Sequence, residues 1–423
     1  MRRIIVFDDA GGRLAPLTDL RPSFDVRTGA LTTLERVRRV LDGQVIGLWV
    51  PESLRVLARL THAEPVNATI GGSGVALIYN GRCPVPPEGL GSLREGEALI
   101  EPGTGELVAA CLDAGRALDA AAGRVPASVT ARRELPAPSL LARPWHLRRY
   151  RDAAIRIDLE LLALPERRTP DEPSPAQELF EAGVAGVTLT PGAAEPLRLG
   201  GAALTVHKAA RVYPGAILDL ERGPIVIDEG AIVRPGAILI GPVYIGPHST
   251  ILERATIRQN TAIGPWCKVN GEVGGTIFQG YANKAHDGYL GDSWVGEWVN
   301  LGAGTTNSNL LNTYEEIIAV ASPGMSNERT GETFLGATIG DHVKTAIGTR
   351  LMTGCVLHTG GMFATTAPVS GATPPFAWST DAGLRRYRLD KFLAVARAMM
   401  HRRNIEPSAA YLERLTALHA SAI

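Results

Sequence analysis

Lysine is scarce in this chain of 423 residues. Only five of its 43 basic residues are lysines, and none lies in the first 200 residues. A genomic bias towards arginine explains most of this scarcity, but it also leaves any phosphate site in the first 200 residues without a lysine. The five are Lys208, Lys268, Lys284, Lys344 and Lys391.

The chain also lacks an excess of charge, paired cysteines and long apolar runs. Its 43 basic residues balance 43 acidic ones, which removes the electrostatic drive towards nucleic acids or anionic membranes. The four cysteines are widely separated, so we expect buried thiols and neither a disulfide framework nor a structural zinc site. No apolar run approaches the roughly 18 residues of a membrane span, and "MRRIIVFDD" is too short in apolar residues for a signal sequence. These absences predict a soluble cytoplasmic protein.

The length of the chain exceeds the single-core limit of about 250 to 300 residues, which favours two domains. In the first half, short apolar segments alternate with segments of helical spacing, a pattern typical of a parallel α/β sheet. A polar, proline-rich stretch, "PERRTPDEPSPAQ", marks the end of this half. We therefore predict an α/β domain over residues 1–165 and a linker over 166–200. The predicted strands are 3–7, 44–50 and 74–81, and the predicted helices are 30–41 and 148–162.

A repeat of six residues dominates the second half. Eight successive positions at this spacing are aliphatic, and glycine or proline stands at many of the intervening turns. This period predicts a parallel β-helix over residues 201–365, in which each aliphatic side chain joins a shared interior stack. An amphipathic segment, "LRRYRLDKFLAVARAMMHRR", predicts a helical tail within residues 366–423 that caps the solenoid. The eight positions are Ile227, Val233, Leu239, Ile245, Ile251, Ile257, Ile263 and Val269.

The repeat breaks between residues 283 and 309, where polar side chains replace the small and aliphatic ones. The stretch "HDGYLGDSWVGEWVNLGAGTTNSN" resembles the acetyltransferase site of the GlmU-like family, the bifunctional glucosamine-1-phosphate N-acetyltransferases and N-acetylglucosamine-1-phosphate uridylyltransferases. Together with "IGDHVKTAIGT", "RPSFDVRTGALT" and "RPWHLRRYRDAAIRIDLELL", it is similar to a compact bacterial branch of that family, described as sugar nucleotidyltransferases. The resemblance implies a Rossmann-like nucleotidyltransferase domain followed by a left-handed parallel β-helix.

The resemblance implies a role for each matching residue in acetyl transfer. His286 matches the general base that takes a proton from the sugar amine, and an imidazole suits this role because its unperturbed pKa is about 6.5. The remaining matches are sugar and phosphate contacts at Lys284, Tyr289, Asn300 and Arg258, and acetyl-CoA contacts at Ala303, Ala337 and Asn309. Asn309 matches the asparagine whose side chain polarises the thioester carbonyl.

The N-terminal segment "FDDAGGRLAPLTDLRPS" resembles the triphosphate-binding loop of sugar nucleotidyltransferases, which implies nucleotide contacts at Gly11, Gly12 and Arg13. Two positions depart from that pattern. Asp9 stands where the family has its first glycine, and Arg82 stands where the family places an aspartate that binds magnesium. Asp8, Asp9 and Asp158 are therefore the candidate replacement ligands for Mg²⁺.

Alternatives to these roles follow from the same residues. Histidines and asparagines at β-helix corners also serve to satisfy backbone groups, with no catalytic role. Three histidines on neighbouring coils bind zinc in β-helical carbonic anhydrases, which makes His286, His342 and His358 a formal zinc set. The close histidine pair of that zinc site is absent from the sequence.

The preferred interpretation is a transferase that moves an acetyl group from acetyl-CoA to glucosamine 1-phosphate, with or without nucleotidyl transfer from UTP to yield a UDP-sugar. The resemblance implies a homotrimer, because its cofactor lies in a groove between neighbouring solenoids. Two alternatives stay open. One is a sugar-1-phosphate nucleotidylyltransferase whose β-helix only oligomerises, and the other is a non-enzymatic scaffold that binds a sugar nucleotide or CoA.

Overall fold

The structure is a computed structural model, and it describes residues 2–68, 74–116, 121, 123–163 and 196–422. Most of the predicted linker, residues 166–195, lies outside the described residues. The described chain forms a mixed α/β domain, a long stack of parallel strands and a pair of C-terminal helices. The predicted fold class, including a left-handed parallel β-helix, is confirmed.

The first domain is built on one six-stranded sheet with the order β2-β1-β3-β5-β4-β6. The pairs β1–β2, β1–β3 and β4–β6 are parallel, whereas β5 runs antiparallel to both β3 and β4. The expected parallel sheet is therefore mixed, because β4 and β5 are joined by a short connection that reverses the chain. The strands are β1 (Arg2–Phe7), β2 (Gly43–Trp49), β3 (Val75–Asn80), β4 (Glu97–Ile100), β5 (Leu107–Asp113) and β6 (Ala131–Glu134).

The described part of the first domain contains three α-helices, namely α1 (Thr33–Val40), α2 (Arg55–Thr61) and α3 (His146–Ala163). A capping box fixes the start of α1, because the Thr32 side chain accepts from the Glu35 amide while Glu35 accepts from the Thr32 amide. Short 3₁₀ helices span Ser23–Asp25, Glu52–Leu54, Leu90–Ser92 and Ala114–Arg116. The helices at both predicted helical segments are thus present.

The solenoid consists of three sheets that the chain visits in turn, and their strands are parallel except for the final, antiparallel pair of the third sheet. The first solenoid sheet comprises β7 (Leu197–Leu199), β10 (Ile217–Asp219), β13 (Ile238–Ile240), β16 (Thr256–Ile257), β19 (Glu272–Gly274) and β22 (Tyr289–Gly291). The second comprises β8 (Leu204–Val206), β11 (Ile225–Ile227), β14 (Val243–Ile245), β17 (Thr261–Ile263), β20 (Ile277–Phe278), β23 (Trp294–Val295), β28 (Thr338–Ile339), β31 (Val356–Leu357) and β33 (Ala372–Thr373).

The third solenoid sheet comprises β9 (Arg211–Val212), β12 (Ile232–Val233), β15 (Thr250–Ile251), β18 (Lys268–Val269), β21 (Asn283–Lys284), β24 (Asn300–Leu301), β29 (Lys344–Thr345), β32 (Met362–Ala364), β34 (Ala377–Thr380) and β35 (Gly383–Arg386). Two small pairs complete the strands, β25 (Thr306–Asn307) with β30 (Arg350–Leu351) and β26 (Ile318–Ala319) with β27 (Glu328–Arg329). Strand pairing of the solenoid thus runs from Leu197 to beyond residue 365.

The interior of the solenoid is the aliphatic stack that the six-residue period predicts. All eight of the periodic positions between Ile227 and Val269 are 0 % exposed and belong to one hydrophobic cluster. In each parallel sheet the same inward position recurs from one coil to the next, about 4.8 Å away, so neighbouring coils bury each other's apolar side chains. A single coil could not do so alone.

The first domain packs against the outer face of the second solenoid sheet. Val226, Tyr244, Ala262, Ile277 and Trp294 point outwards from that sheet and form one cluster with buried residues of the first domain. The first domain therefore covers this part of the sheet. The corner between the third and first solenoid sheets, where residues 285–288 lie, is on a different edge of the solenoid.

The C-terminal helices α4 (Leu389–His401) and α5 (Ala409–Ser421) close the end of the solenoid, as predicted for the tail. Phe392 and Leu415 pack with Phe376 of the last coils and with Leu20 of the first domain. Only residues 389–401 of the predicted amphipathic segment are helical, because Gly383–Arg386 forms β35 instead.

Candidate functional site at the interrupted coil

His286 lies on the four-residue corner that joins β21 to β22, and its side chain is exposed. Gly288 allows this corner to lie close to the next coil: its φ is 109°, and a Cβ there would lie 2.2 Å from the carbonyl oxygen of Thr305. Among the described residues, none accepts a hydrogen bond from the imidazole or donates one to it. A ring nitrogen is therefore free to take a proton from a ligand.

Lys284 fixes this corner from the inside. Its ammonium group donates to the carbonyl oxygens of Asn270 (3.0 Å), His286 (3.0 Å) and Asp287 (3.3 Å), and the residue is only 2 % exposed. Burial lowers the pKa of Lys284 to about 8, which leaves the side chain charged at neutral pH. The three carbonyls use all three N–H groups of the ammonium. The expected phosphate contact at Lys284 is therefore not available in this arrangement, and the residue instead orders the loop that carries His286.

Tyr289 and Asn309 form a second polar group on the outer face of the first solenoid sheet. The Asn309 side-chain amide donates to the hydroxyl oxygen of Tyr289 (3.0 Å) and to the Asp292 carboxylate (2.8 Å). Burial, and then the Asp292 carboxylate, raise the pKa of Tyr289, so its hydroxyl stays protonated. Both N–H groups of Asn309 are used within the protein, so the predicted donation from Asn309 to a thioester carbonyl does not fit this geometry.

Asn300 lies on the outer face of the third solenoid sheet, where Asn283 donates to its side-chain oxygen (2.8 Å). Lys268, Asn283, Asn300 and Lys344 follow one another in register on successive strands of this sheet. Burial lowers the pKa of Lys344 to about 8. Sequence reasoning missed Lys344, although the rarity of lysine in the chain was a signal that could have pointed to it.

The other predicted contacts of the solenoid lie apart from this group. Ala303 is half-buried and its carbonyl accepts from the Gly348 amide (2.7 Å). Ala337 is 1 % exposed, and its amide donates to the Ser293 hydroxyl (2.9 Å), so it has no free backbone donor for CoA. Arg258 pairs with Glu272 (2.7 Å) on the surface.

The formal zinc set does not assemble. His342 is 1 % exposed and its ring contacts the Tyr411 hydroxyl (2.8 Å), while His358 is 2 % exposed and contacts the carbonyl of Ala321 (3.0 Å). His286 is exposed at its corner. In the part of the chain that the structure describes, no group of three or more His, Cys, Asp or Glu side chains could hold a metal ion.

In the first domain, the two departures from the nucleotidyltransferase pattern contact each other. The Arg82 guanidinium, which is 0 % exposed, donates to both carboxylate oxygens of Asp9 (2.6 and 2.7 Å) and to Glu106 (2.6 Å). Burial alone would raise the pKa of Asp9, but Arg82 outweighs it and the pKa is lowered. The guanidinium lies against Gly11, where an added Cβ would be 2.4 Å from Arg82 Nη2.

The side chains of Asp9 and Arg82 thus occupy the predicted nucleotide-binding loop. The Gly11 amide donates to Asp9 (2.8 Å), and the Gly12 backbone packs on Ala142. Arg13 is the only one of the three predicted nucleotide contacts that has a side chain. That side chain is exposed, and its guanidinium lies 3.9 Å from the Glu328 carboxylate.

These residues do not fit a magnesium ion, which requires unpaired oxygen ligands. Both oxygens of Asp158 bind Arg36 (2.6 and 2.7 Å) and the residue is 0 % exposed, so its predicted role as a metal ligand does not hold. The Asp8 carboxylate accepts from the backbone amides of Ser23 (2.7 Å) and Ala10 (2.9 Å). At position 82 a cation stands where the resemblance places the metal-binding carboxylate.

Fold and site together define a two-part protein in which a mixed α/β domain accompanies a parallel β-helix that presents one histidine at an interrupted corner. Comparison with known families agrees with this. Residues 4–166 match the family described as "Sugar nucleotidyl transferase". The expected resemblance to the GlmU-like family is confirmed by the relatives that follow.

The chain is 28 % identical over 126 residues to the "Bifunctional protein GlmU" of Nostoc sp., a match that covers 25 % of this chain and 28 % of that protein. It is 34 % identical over 140 residues to the "Bifunctional sugar-1-phosphate nucleotidylyltransferase/acetyltransferase" of Sulfurisphaera tokodaii, covering 31 % of this chain and 33 % of that protein. The chain thus spans about a third or less of the length of these two relatives. Both are transferases by name, as predicted for this chain.

Among solved structures, the Arabidopsis UDP-N-acetylglucosamine acyltransferase matches with 12 % identity over 52 % of this chain and 88 % of its own, at a TM-score of 0.20. In the described residues, no helix combines the length and the apolar composition needed to cross a membrane.

Proposed function

We propose that the protein transfers an acetyl group from acetyl-CoA to the amine of glucosamine 1-phosphate, with His286 as the general base. The observation that carries this proposal is the corner at residues 285–288, where Lys284 fixes the main chain and the imidazole is exposed. Tyr289 lies on β22, which follows this corner, and Asn300 lies on β24, which pairs with β21; both side chains supply polar groups for a sugar. The relatives' names, which include an acetyltransferase, support the reaction class.

In this mechanism the amine nitrogen attacks the thioester carbonyl carbon while His286 accepts the proton that the nitrogen loses. The tetrahedral intermediate then collapses, the C–S bond breaks, and the CoA thiolate takes up the proton. The products are the N-acetyl sugar phosphate and CoA, and no covalent enzyme intermediate is required. Acetyl-CoA enters as a co-substrate. The homotrimer and the cytoplasmic location stay part of this proposal.

The match of residues 4–166 to sugar nucleotidyl transferases favours nucleotidyl transfer as the second candidate. The Asp9–Arg82 pair argues against it, because it fills the loop that would cradle the triphosphate and replaces a metal ligand by a cation. We therefore assign the activity to the solenoid. Pyrophosphate release from UTP or dTTP in the presence of Mg²⁺ and a sugar 1-phosphate would overturn this assignment.

Replacing the base tests the proposal directly. We expect His286→Ala to lower CoA release with glucosamine 1-phosphate by two or more orders of magnitude, the typical effect of losing a general base. His248→Ala is the matched control, because His248 is another exposed histidine at a solenoid corner and its ring lies 4.4 Å from that of Trp266. Sedimentation equilibrium on both variants checks that the assembly is retained. Unchanged turnover in the His286 variant would remove this histidine from the mechanism.

A further inference from the structure

A network of hydrogen bonds and ion pairs links the first domain to Tyr289 and Asn309, which form the candidate site for the acceptor sugar. Arg151, on α3 of the first domain, contacts Asp292 Oδ1 (2.6 Å), and Arg148 approaches the same oxygen (3.1 Å). Asp292 Oδ2 accepts from Asn309 Nδ2 (2.8 Å), which also donates to Tyr289 Oη (3.0 Å). The network thus joins Arg151 to Tyr289, two residues that are more than 130 positions apart in the sequence.

Asp292 decides which way the Asn309 amide points. An ionised carboxylate can only accept hydrogen bonds, so Asn309 must turn its NH₂ group towards Asp292 and its oxygen away. Arg151 and Arg148 lie on Asp292 Oδ1, which holds the carboxylate with Oδ2 towards Asn309. The first domain therefore sets the orientation of a side chain on the solenoid.

The orientation of Asn309 in turn determines which hydrogen bonds the Tyr289 hydroxyl donates and accepts. Because the Tyr289 oxygen accepts from Asn309, its own O–H is left to donate to a ligand. The Asn309 oxygen is left to accept. The pair thus presents one donor and one acceptor, the pattern that suits a sugar hydroxyl or amine beside a phosphate or ring oxygen.

Gly291 allows Tyr289 to reach Asn309. Residues 289 and 291 point to the same face of β22, and a Cβ at Gly291 would lie 2.2 Å from Tyr289 Oη. The phenol thus lies along the strand, across the glycine. Because Gly291 does not have the positive φ that only glycine favours, alanine at this position would displace the phenol and leave the backbone unstrained.

We propose that Arg151 is a positioning residue that acts through Asp292 to hold Asn309 and Tyr289 in the donor and acceptor pattern for the sugar. The first domain thereby completes the acceptor site of the solenoid. This inference rests on the proposed acetyl transfer for its kinetic readout, and it has a structural readout that does not depend on activity.

The kinetic test compares Arg151→Met with Arg156→Met, which changes an exposed arginine on the same helix. We expect Arg151→Met to lower kcat/KM for glucosamine 1-phosphate by about 10- to 100-fold, as small misplacements of binding groups do, with the KM for acetyl-CoA unchanged. In an Asn309→Ala background the same substitution should have no further effect, because its route to the sugar is already removed. Gly291→Ala should reproduce the loss for the sugar without changing the thermal midpoint.

The structural test compares crystal structures of the wild type and the Arg151→Met variant. We expect the Asn309 amide and the Tyr289 hydroxyl to shift or to adopt two positions in the variant. An unchanged Asn309–Tyr289 pair, or a kinetic effect of Arg151→Met that persists in the Asn309→Ala background, would overturn the inference. Absence of acetyl transfer in the wild type would instead reject the proposed function, and the crystallographic comparison would still decide the inference.

Discussion

At the scale of single residues, the position of a charge decides its role more than its identity does. Lys284 was expected to bind phosphate, but its ammonium lies inside the coil on three carbonyl oxygens. Its burial depends on the path of residues 270 and 286–287, which no local pattern in the sequence encodes. Asp292 escaped sequence reasoning for a related reason, since its partners Arg148 and Arg151 come from the other domain.

Replacing Lys284 should affect both stability and catalysis. Lys284→Met keeps the length of the side chain but leaves the carbonyls of Asn270, His286 and Asp287 without their donor, at a cost of about 1–3 kcal/mol per unsatisfied buried group. We expect a lower free energy of unfolding in urea and slower CoA release. Lys268→Met is the control, because Lys268 is an exposed lysine on the adjacent strand of the same sheet. Equal urea midpoints for the two variants would contradict this role.

At the scale of elements, the hydrogen bonding at the start of α3 depends on the protonation state of His146. The amide of Ala142 donates to His146 Nδ1 (3.2 Å), which requires the neutral imidazole at this atom. Burial, and then Arg149, lower the pKa of His146 to about 4. The N-terminal end of a helix also disfavours a cation, so three effects act in the same direction.

The stability of the protein should therefore fall on acidification through this group. The unfolded chain binds a proton at His146 near its ordinary pKa of about 6.5, whereas the folded chain binds it near 4, so stability is lost as the pH falls from about 6.5 towards 4. The loss amounts to about 3 kcal/mol. His146→Asn retains an acceptor and cannot titrate, so urea unfolding of this variant at pH 4.5 and 7 should show a smaller difference than the wild type. Parallel pH dependences would contradict the assignment.

At the scale of the whole molecule, the regular parts of the fold could be predicted and the contacts between them could not. The six-residue period predicted the solenoid because every inward position recurs at the same place in the next coil. The break in the period predicted the corner that exposes His286. Nothing in the sequence indicated that the first domain covers the second solenoid sheet, since that face is lined by the same aliphatic and aromatic residues as a core strand.

The contact between the two domains should contribute strongly to stability through a buried ion pair. Arg21 of the first domain lies 2.8 Å from Asp341, whose side chain is 0 % exposed in the solenoid. Arg21→Met would leave this carboxylate buried and uncompensated, at a cost of about 3–5 kcal/mol. Arg13→Met, which removes an exposed arginine 3.9 Å from Glu328, is the control and should change little. Urea denaturation followed by tryptophan fluorescence measures both, and similar midpoints would show that the Arg21 contact contributes nothing.

The mutual contact of Asp9 and Arg82 constrains how such a domain can change over evolutionary time. Asp9 opposite an aspartate at position 82 would bring two carboxylates together, and Arg82 opposite a glycine at position 9 would keep Glu106 as its carboxylate partner but lose its two hydrogen bonds to Asp9. A lineage should therefore pass between the two states by a paired replacement, and related chains with aspartate at position 82 should carry glycine at position 9. Positions 9 and 82 should therefore covary in an alignment of related chains. The residues at these two positions would separate chains whose site can bind a metal ion from chains whose site cannot.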